Sequence, residues 1–198
     1  HFLYNTLDTI SGMILSGDTQ RSFALVQSLG LFYRNSLGSG QQTVSLGEEL
    51  VTVQSYLKIL NTRYGDSIRV DCRVDDALRE RKILKLTIQP LVENAVHHGL
   101  RPRGGDGTIV IGAAEENGAL LVTVRDDGVG ISPEKLLELR QSTAEDTPGF
   151  GLFSIRRRIA LFYGTSDPLT IESREGEWTK VTVRIPPEGG NTHAEAEN

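Results

Sequence analysis

The spacing of apolar residues changes once along this chain of 198 residues, and that change most limits what the chain can fold into. Up to about residue 64, apolar side chains recur at the period of an amphipathic helix. From about Gly65 onward, runs of alternating apolar and polar residues have the period of half-buried strands. The sequence therefore predicts a helical N-terminal region followed by a region of strands and helices.

The helical region is predicted to contain three helices. The first carries an apolar stripe, formed by Leu3, Leu7, Ile10 and Ile14. Beside it lies a second, mostly polar stripe, formed by His1, Asn5, Asp8 and Gly12. A break at Gly17 precedes the second helix, and the short connection makes the two an antiparallel hairpin. Ser45 and Glu48 form a capping box at the start of the third helix. Since Phe2 and Met13 place apolar groups on further faces of the first helix, we expect a second copy to complete a dimeric four-helix bundle.

The second region reads as an α+β sandwich, because strands and helices are interleaved. Strands are expected at 68–74, 108–114, 119–126, 169–173 and 179–185, and helices at 90–98, 133–140 and 151–163. We therefore predict a helical dimerisation region over 1–64 and a second domain over 65–187. Residues 188–198 are poor in apolar side chains and are predicted to be a disordered tail.

Composition excludes several classes of function. The net charge is −5 and no basic stripe is visible, so nothing favours nucleic-acid binding. The single cysteine, Cys72, has no partner for an intrachain disulfide. No apolar run approaches the roughly 18 residues of a membrane helix. We expect a soluble piece of a longer protein.

The stretch QPLVENAVHHGL places four polar side chains on one side of a helix and apolar ones on the other: Glu93, Asn94, His97 and His98. The simplest interpretation is a solvated helix face. Zinc binding by both histidines is disfavoured, because adjacent helix positions point about 100° apart. The amide oxygen of Asn94 suits a hard cation better.

The stretch LLVTVRDDGVGIS aims a carboxylate at the apolar side of a strand, since Asp126 alternates in phase with Val122 and Val124. That placement is costly unless a donor meets the carboxylate. Gly128 and Gly130 follow, so a ligand can approach the backbone closely. A strand end with an ordinary turn is the alternative interpretation.

In the stretch GFGLFSIRRRI, Gly149 and Gly151 precede a helix whose buried side begins with Leu152. A glycine-rich loop leading into a helix N-terminus is an anion site by geometry, although glycines also serve plain turns. At most one of the three arginines at 156–158 is expected to face such a site.

In this order, HFLYNTLDTI, QPLVENAVHHG, DDGVGI and GFGLFSIRRRI resemble the LytS/YesM-type sensor histidine kinases of bacterial two-component systems. The resemblance runs from His1 to about Pro186 and implies an ATP-binding domain of GHKL (Bergerat) type. It implies ATP and Mg²⁺ as cofactors, a homodimer, and a response regulator receiver domain as partner. It also implies a whole protein anchored in the bacterial cell membrane, of which this chain is a cytoplasmic part.

The resemblance further implies roles for individual residues. His1 matches the phospho-accepting histidine, and Asn94 matches the residue that holds Mg²⁺, with Glu93 beside it as a catalytic residue. The matched nucleotide-binding residues are Asn94, His97, His98, Asp126, Gly128, Gly130, Gly149, Gly151, Leu152 and Arg158. Asp126 would read the adenine amino group, and residues 130–149 would form the ATP lid. The chain departs from the family pattern at Ser154, where Asn is usual, and at His97, where Lys or Tyr is frequent.

Spacing adds a hypothesis for Asn5, which lies four residues after His1 and so stacks on the same helix face. Its amide would hold a water for removal of phosphate from the regulator, although a merely polar surface residue is the simpler interpretation. Two other functions stay open. One is an ATPase clamp of the same fold, in which Glu93 activates water and no histidine is phosphorylated. The other is a non-catalytic nucleotide-binding dimer module.

Overall fold

The computed structural model describes residues 1–37, 40–65, 67–141 and 151–187. Its helices are α1 (Phe2–Leu15), α2 (Thr19–Leu37), α3 (Leu46–Tyr64), α4 (Ile88–Asn94), α5 (Pro133–Gln141) and α6 (Gly151–Tyr163). Its strands are β1 (Thr43–Ser45), β2 (Ile68–Arg73), β3 (Lys82–Leu84), β4 (Gly107–Glu116), β5 (Ala119–Asp126), β6 (Leu169–Arg174) and β7 (Trp178–Ile185). Short 3₁₀ turns follow at Asp76–Leu78 and Arg101–Arg103.

The α1–α2 hairpin forms as predicted, but the apolar stripe expected on α1 is divided between two environments. Ile10 is buried, together with Thr6, and Phe2 and Met13 pack against the core beside it. Leu3, Leu7 and Ile14 are instead exposed. The face of α1 that meets the rest of the chain is therefore rotated away from the predicted stripe.

Helix α3 connects the hairpin to the rest of the molecule. Its capping box is confirmed: the Ser45 hydroxyl accepts from the Glu48 N–H at 3.1 Å, and the Glu48 carboxylate accepts from the Ser45 N–H at 2.7 Å. The apolar face of α3 is almost completely buried, and one continuous core runs from the hairpin to the sheet. The predicted division of the chain into two regions at residue 64 stays a prediction, because α3 packs both against α2 and against α4.

The main sheet has five strands in the order β2-β4-β5-β7-β6. Strands β2 and β4 are parallel, and the other pairs are antiparallel. The five strands predicted in this region are confirmed with small changes at their ends. The sequence missed the antiparallel β1–β3 pair, whose strands of three residues are too short to show a period of two.

The helix predicted at 90–98 is longer than expected. It begins at Ile88, continues past Asn94 as a π-helix over Ala95–Leu100, and packs on β5. Within the described ranges, no helix is long and apolar enough to cross a membrane.

Candidate nucleotide-binding site

A cavity of about 360 Å³ lies between the α4 helix with its π-helical extension, the end of β5, and α5 and α6. Its size is within the range typical of small-molecule sites. Its lining is mostly apolar with a few polar groups, and consists of Leu91, Asn94, Ala95, His98, Gly99, Val124, Asp126, Gly130, Ile131, Ser132, Lys135, Leu139, Leu152, Thr179 and Val181. The structure therefore brings together residues from three of the four sequence motifs.

Asp126 is the buried acid of this cavity, with 4% of its surface exposed. Its Oδ1 accepts the Gly128 N–H at 3.0 Å, which supplies the donor that an acid on the apolar side needs. Burial raises the pKa of the Asp126 carboxyl from 3.8 to about 6, and the Gly128 N–H opposes that shift. At neutral pH the group is ionised and can accept a hydrogen bond from a ligand.

Three glycines let backbone segments approach one another closely in and beside the Asp126 cavity. A Cβ on Gly99 would lie 2.3 Å from the Asp126 Oδ1, and one on Gly128 would lie 2.2 Å from the carbonyl carbon of Gly99. Gly130 has a φ of +65°, and a Cβ there would lie 2.1 Å from the Arg174 carbonyl oxygen. The helix predicted at 90–98 would end just before Gly99. The residue instead lies inside the π-helix and allows the carboxylate to approach.

Asn94 lies where this cavity meets a shallower one lined by Pro90, Glu93, Asn94, His97, His98 and Arg101. The Asn94 Nδ2 donates to the Pro90 carbonyl at 2.7 Å, which leaves Oδ1 as the amide atom able to face a cation. Glu93 accepts from the Gln89 Nε2 at 2.9 Å. Among the described residues, no group of three or more His, Cys, Asp or Glu side chains forms a metal site. A cation held by the Asn94 amide oxygen would take its other ligands from a nucleotide or from water, as Mg²⁺ commonly does.

The shallower cavity is also lined by the positively charged side chain of Arg101, which the sequence analysis did not identify. Burial lowers the pKa of His97, and Arg101 and His98 lower it further, so His97 is neutral at pH 7. Arg101 lies one helical turn after His97, its Nη2 donates to the Tyr64 hydroxyl at 3.0 Å, and its guanidinium stacks on the Tyr64 ring. The sequence could have indicated this placement, because Arg101 follows His97 by four residues and so lies on the same helix face.

The predicted residues of the glycine-rich stretch are placed differently from one another. Leu152 lines the cavity, and Gly151 is the first residue of α6. Gly149 and the C-terminal part of the expected lid, residues 142–148, lie outside the described residues. Arg158 lies away from the cavity lining: its guanidinium donates to the Leu86 carbonyl near Glu49. Lys135 on α5 lines the cavity and was not predicted.

His1 precedes α1 and is exposed. The predicted stacking of Asn5 on His1 is present, with the Asn5 Nδ2 at 2.7 Å from the His1 Nδ1. Because an amide nitrogen can only donate, this contact uses the Nδ1 lone pair; with the amide turned to present Oδ1, Nδ1 would carry the proton and Nε2 the lone pair. Phe2, beside it, is anchored by aromatic contacts with Phe32 and Tyr56 at centroid distances of 5.4 Å each.

A buried acid beside glycines, next to a helix that presents an Asn at an apolar cavity, defines a nucleotide-binding sandwich. Residues 79–189 match the model of the histidine kinase-, DNA gyrase B- and HSP90-like ATPases, and residues 1–68 match the histidine kinase model. The chain belongs to this family of ATPases, whose domain is of a type that binds ATP, and its N-terminal residues match the histidine kinase family.

Similar proteins support the assignment. The sensor histidine kinase YesM of Bacillus subtilis is 34% identical over 94% of this chain and 31% of its own length. The sensor protein LytS of Staphylococcus haemolyticus is 34% identical over 94% of this chain and 32% of its own. The chain spans about a third of the length of these relatives.

Two solved structures share the fold. The catalytic domain of histidine kinase ThkA has a TM-score of 0.55 at 21% identity and covers 73% of this chain and 93% of its own. The histidine kinase domain of the blue-light activated kinase of Erythrobacter litoralis EL346 has a TM-score of 0.53 at 21% identity, covering 89% and 84%. The predicted α+β class, with N-terminal helices and a GHKL-type catalytic domain, is confirmed.

Proposed function

We propose that the chain phosphorylates itself on His1 with ATP and then passes the phosphoryl group to an aspartate of a response regulator receiver domain. The observation that carries this proposal is that one chain combines the Asp126 cavity with an exposed imidazole whose Nδ1 is held by the Asn5 amide. The assignment to the sensor histidine kinases supports the same reaction.

In the proposed reaction the reactive tautomer of His1 carries its proton on Nδ1, where the Asn5 amide would accept it once turned to present Oδ1. The Nε2 lone pair then attacks the γ-phosphorus of ATP, and the Nδ1 proton passes to water. The N–P bond forms while the bond from phosphorus to the β,γ-bridging oxygen breaks, and ADP leaves with that electron pair. A neutral imidazole is a competent nucleophile. Phosphoryl transfer depends mainly on positioning and charge neutralisation. Asp126 would accept from the adenine amino group, and Arg101 would lie on the phosphate side.

We propose Asn94 as the protein ligand of Mg²⁺. Its Oδ1 is the amide atom left to accept after Nδ2 donates to Pro90, and a cation there would neutralise charge on the phosphates. Glu93 remains the proposed acid beside it. Replacing Asn94 with Ala is expected to weaken the Mg²⁺ dependence of nucleotide binding, measured by titration with and without the cation.

We propose a homodimer formed through the hairpin. The side chains of α1 that were predicted to be an apolar stripe remain exposed at Leu3, Leu7 and Ile14. A second hairpin would cover them and complete the expected four-helix bundle. The resemblance also supports a whole protein that is anchored in a membrane.

We also propose that Asn5 serves the reverse signalling step, removal of phosphate from the regulator. Its amide already contacts the ring that a docked receiver domain would face, and an amide can hold a water without competing as a nucleophile. With a phosphorylated regulator as substrate, Asn5→Ala is expected to slow dephosphorylation by about tenfold, a barrier change of about 1.4 kcal/mol.

Replacement of the acceptor tests the main proposal. His1→Gln is expected to bind ATP with the parent's affinity and to take up no acid-labile label from γ-labelled ATP. His193→Gln is the matched control and should label like the parent. Stable label on the His1 variant contradicts the assignment of His1. Steady release of inorganic phosphate from the parent, with no label on the protein, favours the ATPase clamp instead.

A further inference from the structure

Glu49 is a buried carboxylate outside the nucleotide cavity, with 2% of its surface exposed. It lies on α3, yet its hydrogen bonds go to the start of α4. Its Oε1 accepts the Leu86 N–H at 2.6 Å, and its Oε2 accepts the N–H groups of Thr87 and Ile88 at 3.0 Å each. Three backbone donors at the beginning of a helix are thus satisfied by one side chain from another helix. Such donors otherwise lack partners inside their own helix.

The segment that Glu49 holds has an unusual backbone conformation. Leu86 has a φ of +57°, a left-handed conformation that is uncommon for a residue with a side chain. Such conformations persist where the surroundings determine them, and they concentrate at functional sites. Here the surroundings include α6, because the Arg158 guanidinium donates to the Leu86 carbonyl. The Leu84 N–H also donates to the Tyr163 hydroxyl, at 2.8 Å.

Charge supports the same junction. Burial raises the pKa of the Glu49 carboxyl, while the three N–H donors and the charge of Arg158 oppose that shift. Burial lowers the pKa of Arg158, and Glu49 opposes that change in turn. The junction of Glu49, Leu86 and Arg158 therefore joins α3, the start of α4 and α6 around one buried acid.

The same face of α3 also packs against the N-terminal end of the hairpin. Tyr56 follows Glu49 by seven residues, so the two side chains lie on one face about two turns and 10 Å apart. Tyr56 packs on the ring of Phe2, the neighbour of His1, at 5.4 Å. Burial raises the pKa of Tyr56, and the negative charge of Glu93 on α4 raises it further. Helix α4 therefore also runs beside this face of α3.

We infer that Glu49 is a positioning residue for phosphoryl transfer. It fixes α4, the helix that carries Asn94, to α3, the helix against which the His1 end of the hairpin packs. The inference rests on the proposed autophosphorylation of His1. Glu49 touches neither reacting group. It acts through one face of α3. On that face Glu49 contacts the start of α4, and Tyr56 contacts Phe2, the residue next to His1.

Glu49→Gln tests the inference, because the amide keeps the size of the side chain but turns an NH₂ group toward backbone donors. We expect an affinity for a non-hydrolysable ATP analogue within about twofold of the parent, with an autophosphorylation rate at saturating ATP at least tenfold lower. Amide hydrogen exchange at Thr87 and Ile88 should accelerate. Glu48→Gln is the matched control: it retains the capping box, which accepts Glu or Gln, and should match the parent in all three measurements.

The outcomes separate the two proposals. A parent chain that binds the analogue and forms no phosphohistidine contradicts the proposed function and this inference with it. A Glu49→Gln chain that labels at the parent's rate, or loses affinity and rate in parallel, contradicts the inference alone. If Glu49→Gln does not fold, Glu49→Asp replaces it, since that variant keeps the charge and withdraws the carboxylate by one methylene. The same split between affinity and rate is then expected, and its absence overturns the inference.

Discussion

The helical hairpin and the sheet region bury their apolar side chains to different extents. Of the thirteen large apolar side chains exposed in the described part of the chain, eight lie on α1 and α2. Ile14 and Phe23, for example, are 60% and 63% exposed. Strand β5 buries its apolar face almost completely, with Leu120 and Val122 at 0%. The sheet region therefore leaves few large apolar side chains exposed, whereas the hairpin presents a face that a second hairpin can cover.

The variant with the largest expected effect tests how closely the backbone packs around Asp126. Gly128→Ala places a methyl group 2.2 Å from the Gly99 backbone, and no side-chain movement can relieve that contact. We expect loss of nucleotide binding and a decrease of about 3 kcal/mol in the free energy of unfolding, measured with urea. Gly30→Ala in α2, where a Cβ meets nothing within 4 Å, is the control. A Gly128 variant that binds and unfolds like the parent would show that the glycines do not shape the site.

The second prediction tests the open face of the hairpin. Leu7 is 44% exposed on α1, and Leu7→Glu would place two charges in a symmetric interface. We expect the dimer dissociation constant to rise at least about 100-fold, measured by sedimentation equilibrium. Leu161→Glu is the control, because Leu161 is 69% exposed on α6 in the sheet region and should not affect association. If the two variants dissociate equally, the dimer does not use the hairpin.

How far sequence predicted structure also differs between the two regions. In β5 the alternation through Val122 and Val124 correctly aimed Asp126 at the apolar side, because a strand period of two assigns each residue to a face. On α1 the stripe through Leu3, Leu7 and Ile14 correctly indicated an apolar surface but not its contact within the chain. A helix can bury either of two neighbouring apolar stripes, and only the packing partner decides which one.

The site shows the same limit. The polar face of α4 and the glycines after β5 were visible as local patterns, so Asn94, Asp126 and Gly130 could be predicted. Gly99 and Glu49 were not, because their roles depend on contacts with chain segments far away in sequence. Arg158 lies next to Leu86 rather than at the cavity, since the rotation of α6 is set by packing and not by the order of its arginines.

The third prediction concerns the ionisation of the buried acid. Because the pKa of Asp126 is raised to about 6, the carboxyl is protonated below that pH and accepts less well from an adenine amino group. Affinity for an ATP analogue should therefore rise as the pH increases through about 6 and level off above 7. Asp126→Asn should weaken binding about tenfold, or about 1.4 kcal/mol, and relax the preference for adenine over guanine.

The phosphates of the analogue titrate in the same range, so the parent is compared with the Asn variant at each pH by calorimetry. The ratio of the two affinities isolates the contribution of Asp126. A ratio that is constant from pH 5 to 8 would contradict the pKa assignment, and an unchanged base preference would remove Asp126 from adenine recognition.

The smallest expected effect tests the polar stripe of the hairpin. Gly12 lies within α1, one turn after Asp8 on the stripe that begins at His1, and a Cβ there meets nothing within 4 Å. Gly12→Ala should raise the free energy of unfolding by about 0.5–1 kcal/mol, because alanine loses less backbone freedom in a helix. Dimerisation, measured by sedimentation equilibrium, should not change if the partner hairpin covers the apolar stripe of Leu3 and Leu7. A weakened dimer would instead mean that the partner helix approaches the His1 side of α1.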